Sequence, residues 1–234
     1  MAEPSTPRAR AHAQTLEDIT RIGRRHLASE GAAALSVRAV ARDLGVVSSA
    51  IYRYVRSRDD LLTLLVVDGY DELGDAVDQA AAAVARTDFR ARFMAIGRAV
   101  REWAQREPAT YALLFGSPVP GYHAPAERTT GPGTRVIVAL VRLWQEAYDA
   151  GAVTEPDPAD PPVTPALAGD VQRVREEMGL STPDALVVRG VLAWAAIFGC
   201  VSFELFGQYG ADTFAAPDEL FDFQLGLLAD STGL

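Results

Sequence analysis

The stretch SVRAVARDLGVVSSAIYRYVRSRDDLL, Ser36 to Leu62, decides how this chain folds. Its first part spaces Val37, Val40, Ala41 and Leu44 along one stripe of a short helix, with Ser36 in front as a side-chain cap and Gly45 behind as a stop. Only Val46 and Val47 separate this from a second short segment, Ser48 to Val55, in which Ile51 and Val55 share one face. Helix, tight glycine turn, helix is the helix-turn-helix layout, and in that layout the second helix enters the major groove of DNA. With Ile51 and Val55 turned inward, Ser48, Ser49, Tyr52, Arg53 and Tyr54 are left for the outer side. Arg53 suits guanine or a phosphate, the two tyrosines offer hydroxyls to the backbone, and Ala50 suits a thymine methyl. Ser36 and Arg58 stand at helix starts, where backbone N–H groups favour a phosphate. Arg38 completes the candidate DNA-binding set.

The charge balance agrees once it is divided. The whole 234-residue chain carries a net charge of −9, but residues 1–60 hold ten Arg against seven acids, so the basic character is local. Screening beyond about 10 Å lets a basic module on an acidic body still meet nucleic acid. The sequence contains no Lys and no Asn, which leaves Arg as the strong cation. Hydrophobic content of 49 % is that of an ordinary globular protein. Charged and glycine residues interrupt the apolar runs before the roughly 20 residues a bilayer requires, and the N-terminus has no signal core. A cytoplasmic chain with no membrane segment is the expectation. The lone Cys200 sits in an apolar run and reads as a small core residue.

Working outward, residues 1–10 read as a disordered arm, and a helix starts near Ala11 with Leu16, Ile19, Gly23 and Leu27 on one face, ending at Gly31. A long helix is expected from Arg58 toward Arg86, another over 87–107, and a short one over 109–115. The Gly/Pro-rich stretch GSPVPGYHAPAERTTGPG and the proline-rich residues 151–165 read as loops. Helical pattern returns over 134–150, 166–178, 183–206 and 217–229. The expected fold is all-α, with about nine or ten helices. Domain limits follow as an arm at 1–10, a three-helix DNA-binding domain at 11–58 and a larger helical domain at 59–234.

Ser36, Val40-Ala41, Leu44-Gly45-Val46, Ile51-Tyr52-Arg53-Tyr54 and Ser57-Arg58-Asp59 followed by Leu61-Leu62 resemble the DNA-binding signature of TetR-family regulators. Together with the preceding helix the resemblance spans about residues 12–65. The chain departs from that signature at Val47, where the family usually has Ser, and at Val55, where it usually has an aromatic. Valine cannot cap a helix, so Ser48 is expected to take that role. The resemblance implies a helical ligand-binding and dimerisation domain after about residue 60. Trp194, Phe198 and Gly199 weakly resemble a subgroup with a Trp-His-Gly signature, with Phe in place of His.

In that larger domain, Leu186–Phe206 is apolar on nearly every side, and the final helix carries two apolar stripes. Ile197, Val201, Phe221, Leu225 and Leu228 are the candidates for a homodimer interface, which suits a palindromic operator. Phe93, Met94, Gly97, Trp103, Tyr111, Phe115, Trp144, Tyr148, Trp194 and Phe198 are the candidate walls of a pocket for a small apolar or aromatic effector, although each taken singly also suits a core. No phosphate-binding glycine loop, HExxH or GxSxG is present, and three scattered His with one apolar Cys make poor catalytic or metal-binding material. No enzyme activity, cofactor or metal is expected. The reading is a ligand-responsive homodimeric regulator, most simply a repressor on double-stranded operator DNA. The alternatives are a helical ligand-binding dimer without specific DNA binding, and an activator of the same family.

Overall fold

A computed structural model describes residues 6–154 and 161–234; the start of the expected arm and residues 155–160 of the proline-rich stretch lie outside the described residues. Among the described residues the chain is all-helical, with eleven α-helices and one 3-10 turn at Ala32–Ala34. It divides into two compact units: residues up to 72 with 107–133, and residues 73–106 with 134–234.

The first unit contains α1 (Pro7–Glu30), α2 (Val37–Asp43), α3 (Ser48–Ile51), the first part of α4 (Arg58–Ala82), α6 (Pro108–Phe115) and α7 (Ala126–Gly133). Ile19, Ile22, Val40, Ile51, Val55, Leu61, Leu62 and Leu65 form its core. Ser36 caps α2, its hydroxyl accepting the Ala39 N–H at 3.4 Å. Gly45 turns the chain with φ of 75°, a conformation that side-chain-bearing residues rarely adopt. Leu113, Val119 and Tyr122 pack onto this core, which is why α6 and α7 group with the helix-turn-helix although a boundary at 58 was expected from sequence. Arg24 of α1 reaches both Asp68 and Glu72 of α4 at 2.6 Å.

Three local expectations are corrected. Helix α1 starts at Pro7, because the Thr6 hydroxyl caps it on the Ala9 N–H, so residues 7–10 are helical rather than disordered. Helix α7 lies inside the stretch read as loop, its Pro132 falling at the penultimate position where it ends the helix. The second helix of the pair closes at Ile51, and Tyr52–Tyr54 form a turn.

The second unit contains the rest of α4, α5 (Phe89–Arg106), α8 (Arg135–Asp149), α9 (Pro165–Met178), α10 (Asp184–Leu205) and α11 (Pro217–Ser231). Helix α5 packs against α8, α10 and α11, burying Phe93, Trp103, Leu140, Leu143, Ile197, Val201, Phe221 and Leu225. Arg101 of α5 is buried and holds Glu204 of α10 through two nitrogens and Asp218 of α11 through one, each at 2.7 Å. The hydrogen bonds that Arg101 donates to Glu204 outweigh burial and raise the Arg101 pKa, so the guanidinium stays charged. By length and composition α10 is apolar enough to cross a membrane, contrary to the expectation from interrupted runs, because Arg189 and Glu204 fall near its ends. The same composition suits a helix covered by other helices, yet only 28 % of its most apolar window is buried.

Candidate nucleic-acid interface and effector pocket

Helices α2 and α3 and the turn that follows α3 present the candidate DNA-contacting side chains. Ser48, Ser49, Arg38 and Arg53 are exposed, Tyr52 is 40 % exposed, and Ala50 is half-buried, while Ile51 and Val55 beneath them are buried. Val47 stands at the N-cap of α3, 72 % exposed and with no side-chain hydrogen bond. Ser48 is the first helical residue, so the capping role expected of it is not filled. Ser36 is half-buried, engaged in its own cap.

Two members of the set are drawn into the fold. Tyr54 is half-buried and packs on the core, its ring stacked on His12 at 4.8 Å. Arg58 opens α4 but spends its guanidinium on the carbonyls of Ala32 and Ala33, at 2.9 and 3.3 Å, and so closes the end of the 3-10 turn. Sequence reasoning missed two polar ties here. His26, buried on α1, meets Asp43 of α2 at 2.7 Å, and its hydrogen bond holds that carboxyl below the usual range. Asp60 accepts the Arg56 backbone N–H at 3.0 Å and the Arg128 guanidinium at 2.5 Å. Burial alone would raise the Asp60 pKa, but these donors outweigh it and lower it.

In the second unit, α8, α9 and α10 enclose a cavity of about 270 Å³. Its walls are Ile137, Val141 and Trp144 of α8, Val174 and Met178 of α9, and Leu186, Val187, Gly190, Val191 and Trp194 of α10, with Thr182 and Thr232 as the polar side chains and no charged one. Gly190 lets α10 approach α8 closely: a Cβ there would come within 2.8 Å of the Trp144 ring.

Of the ten pocket candidates, Trp144 and Trp194 line this cavity. Phe93 and Trp103 are buried in the core, with the Phe93 ring 6.2 Å from Trp144, behind the wall. Gly97 faces Leu225 of α11, and Met94 is half-buried. Phe198 packs edge-on near Trp194 outside the lining, and Tyr148 is exposed. Tyr111 and Phe115 belong to the first unit. The signal that marks the real wall is the shared stripe of Ile137, Val141 and Trp144 opposite Val187, Gly190 and Trp194, which a search for aromatics alone does not find.

The interface candidates also need correction. Ile197, Val201, Phe221 and Leu225 are buried within the chain and Leu228 is half-buried, because these stripes meet α5 and each other. The opposite faces are uncovered: Leu192 is 60 %, Phe223 68 % and Leu227 55 % exposed, with Phe203 also open.

Known proteins match both parts of the chain. Residues 19–65 match the family model described as bacterial regulatory proteins, tetR family, and residues 93–228 match a tetracyclin repressor-like C-terminal domain. Two HTH-type transcriptional regulators, from Mycobacterium tuberculosis and Mycobacterium bovis, are each 47 % identical over 219 residues, covering 93 % of this chain and 92 % of the relative. The crystal structure of the regulatory protein SCO4313 superposes with a TM-score of 0.77 at 30 % identity, over 96 % of this chain and 100 % of that one. These relatives are regulators and not enzymes. The chain thus belongs to the TetR family of helix-turn-helix, DNA-binding transcriptional regulators.

Proposed function

We propose that this regulator is a cytoplasmic homodimeric repressor that binds a palindromic operator and is released by a small, uncharged apolar or aromatic effector. One observation carries the reading: a single chain combines an exposed hydrogen-bonding segment, Ser48 to Arg53, with a cavity of about 270 Å³ that has no charged wall. Tyr52, Arg53, Ser48 and Ser49 contact DNA, with Ala50, Arg38 and Ser36 beside them. The uncovered apolar faces of α10 and α11 support pairing with a second copy, since patches of this kind are rarely left to solvent. An effector acts by binding the DNA-incompetent arrangement more tightly, a preference of about 1–3 kcal/mol being typical of such coupling.

A mobility shift with the intergenic DNA upstream of the gene tests the reading. A discrete shift that an apolar ligand reverses supports it. No shift at any concentration turns the assignment to a ligand-binding dimer without specific DNA binding, which the uncapped four-residue α3 would then explain. A shift accompanied by increased transcription of the adjacent gene identifies an activator.

A further inference from the structure

We infer that the first two turns of α1, residues 7–14, extend the DNA-contacting surface, with Arg8 set against a backbone phosphate beside the site read by Tyr52 and Arg53. The inference rests on the DNA-binding reading of α3. It begins with a helix segment that stays open to solvent along its length. Residues 6–14 are all exposed, and the family match starts only at residue 19. A helix segment without an apolar face has no packing reason to persist, yet this one is capped at Thr6 and started by Pro7.

The segment points at the recognition turn. His12 stacks on Tyr54 with ring centroids 4.8 Å apart and planes 25° from parallel. Arg8, His12, Leu16, Ile19 and Gly23 follow one another at helical spacing on one face. Ile19 and Gly23 are buried in the module, so Arg8 continues the inward stripe beyond the edge of the protein, about 6 Å along the axis from His12. Arg10 stands on the opposite face of the same helix.

Charge selects the occupant. Acids outnumber Arg 31 to 22, and many arginines are held by carboxylates, as Arg24, Arg92, Arg101 and Arg135 are. Arg8 and Arg53 have no such partner among the described residues, in common with Arg10, Arg25 and Arg38 of the same unit. The His12–Tyr54 stack joins the segment that carries Arg8 to the turn that carries Arg53, and guanidinium groups on both suit a phosphate backbone.

Fluorescence anisotropy of the full chain on the upstream intergenic duplex, run over a series of salt concentrations, tests this. For Arg8→Ala the slope of log affinity against log salt should fall by about 0.9 per protomer, with the thermal midpoint and the preference for operator over random DNA unchanged. Arg8→Lys should keep the slope, and Arg10→Ala should leave it at the wild-type value. A wild-type slope in Arg8→Ala overturns the inference, and so does an equal fall in Arg8→Ala and Arg10→Ala, which would mean a diffuse field rather than a contact. Tyr52→Ala with Arg53→Ala separates the two readings. Loss of operator preference there, together with an unchanged Arg8→Ala slope, leaves the recognition segment standing and removes only Arg8. No wild-type binding removes both.

Discussion

Arg128 and Asp60 meet at 2.5 Å, and through that contact α7 grips the start of α4, because the same carboxylate accepts the Arg56 backbone N–H at the end of the recognition turn. Asp60 is also the third helical residue of α4, and its own N–H is accepted by Ser57 Oγ at 3.0 Å. The carboxylate thereby ties together the recognition turn, α4 and α7.

Replacing Asp60 by Asn should lower stability by roughly 1 kcal/mol, since the ion pair is partly open to solvent and is worth less than a buried one. The folded carboxyl is held below its ordinary value. Its contribution is therefore complete above the unfolded pKa of about 3.9 and is lost as pH falls through the lower folded value. Thermal midpoints measured from pH 7 down should show wild type and Asp60→Asn converging below about pH 4. A gap that stays constant through that range would contradict the assignment.

At the recognition turn, Tyr52→Ala and Arg53→Ala should each weaken operator binding by about 1–3 kcal/mol. Both side chains are exposed, so circular dichroism should report an unchanged fold. A folded double variant with wild-type affinity would remove the turn after α3 from the DNA contact.

For the pairing of copies, Phe223→Asp with Leu227→Asp should give a folded monomer in analytical ultracentrifugation, because both positions face outward. Phe221→Asp with Leu225→Asp places charge in the core instead and should unfold the chain. A wild-type monomer at micromolar concentration would reject the interface.

Gly190→Leu should crowd Trp144 and close the cavity. Fluorescence of the uncharged probe N-phenyl-1-naphthylamine should rise on mixing with wild type and stay near baseline with the variant, while operator binding is retained. Equal probe affinity with and without operator would show that the cavity does not communicate with DNA, since linkage requires the two to be reciprocal.

Arg101→Ala leaves Glu204 without its main partner in a poorly solvated position and should cost roughly 3–5 kcal/mol. Chemical denaturation measures it. A loss below 1 kcal/mol would mean that the charges reach solvent in the native state.

The helix-turn-helix was legible because its reading needs only neighbours in sequence: a cap at Ser36, a turn at Gly45, and an apolar pair at Ile51 and Val55. Most helix limits in the second unit follow from local signals as well, with Pro183 in front of α10 and Pro217 opening α11. What failed depends on which side of a helix meets which neighbour. Phe221 and Phe223 are equally apolar, and only the approach of α5 to α11 decides that the first is core and the second is exposed. Trp103 and Trp144 are alike as residues, and the difference between core and cavity wall is made by α8 and α10 meeting at Gly190. Arg58 fits a phosphate site by position, yet the carbonyls of Ala32 and Ala33, some 25 residues earlier, claim it.

The uncovered side of α10 has a consequence for biosynthesis. This helix of 22 residues has the length and composition of a membrane span, and 28 % of its most apolar window is buried in a single folded copy. An unpaired subunit should therefore attract chaperones and proteases until something covers Leu192 and Phe203. Its lifetime in the cell should rise with its own abundance, so that steady-state levels respond more than proportionally to changes in expression.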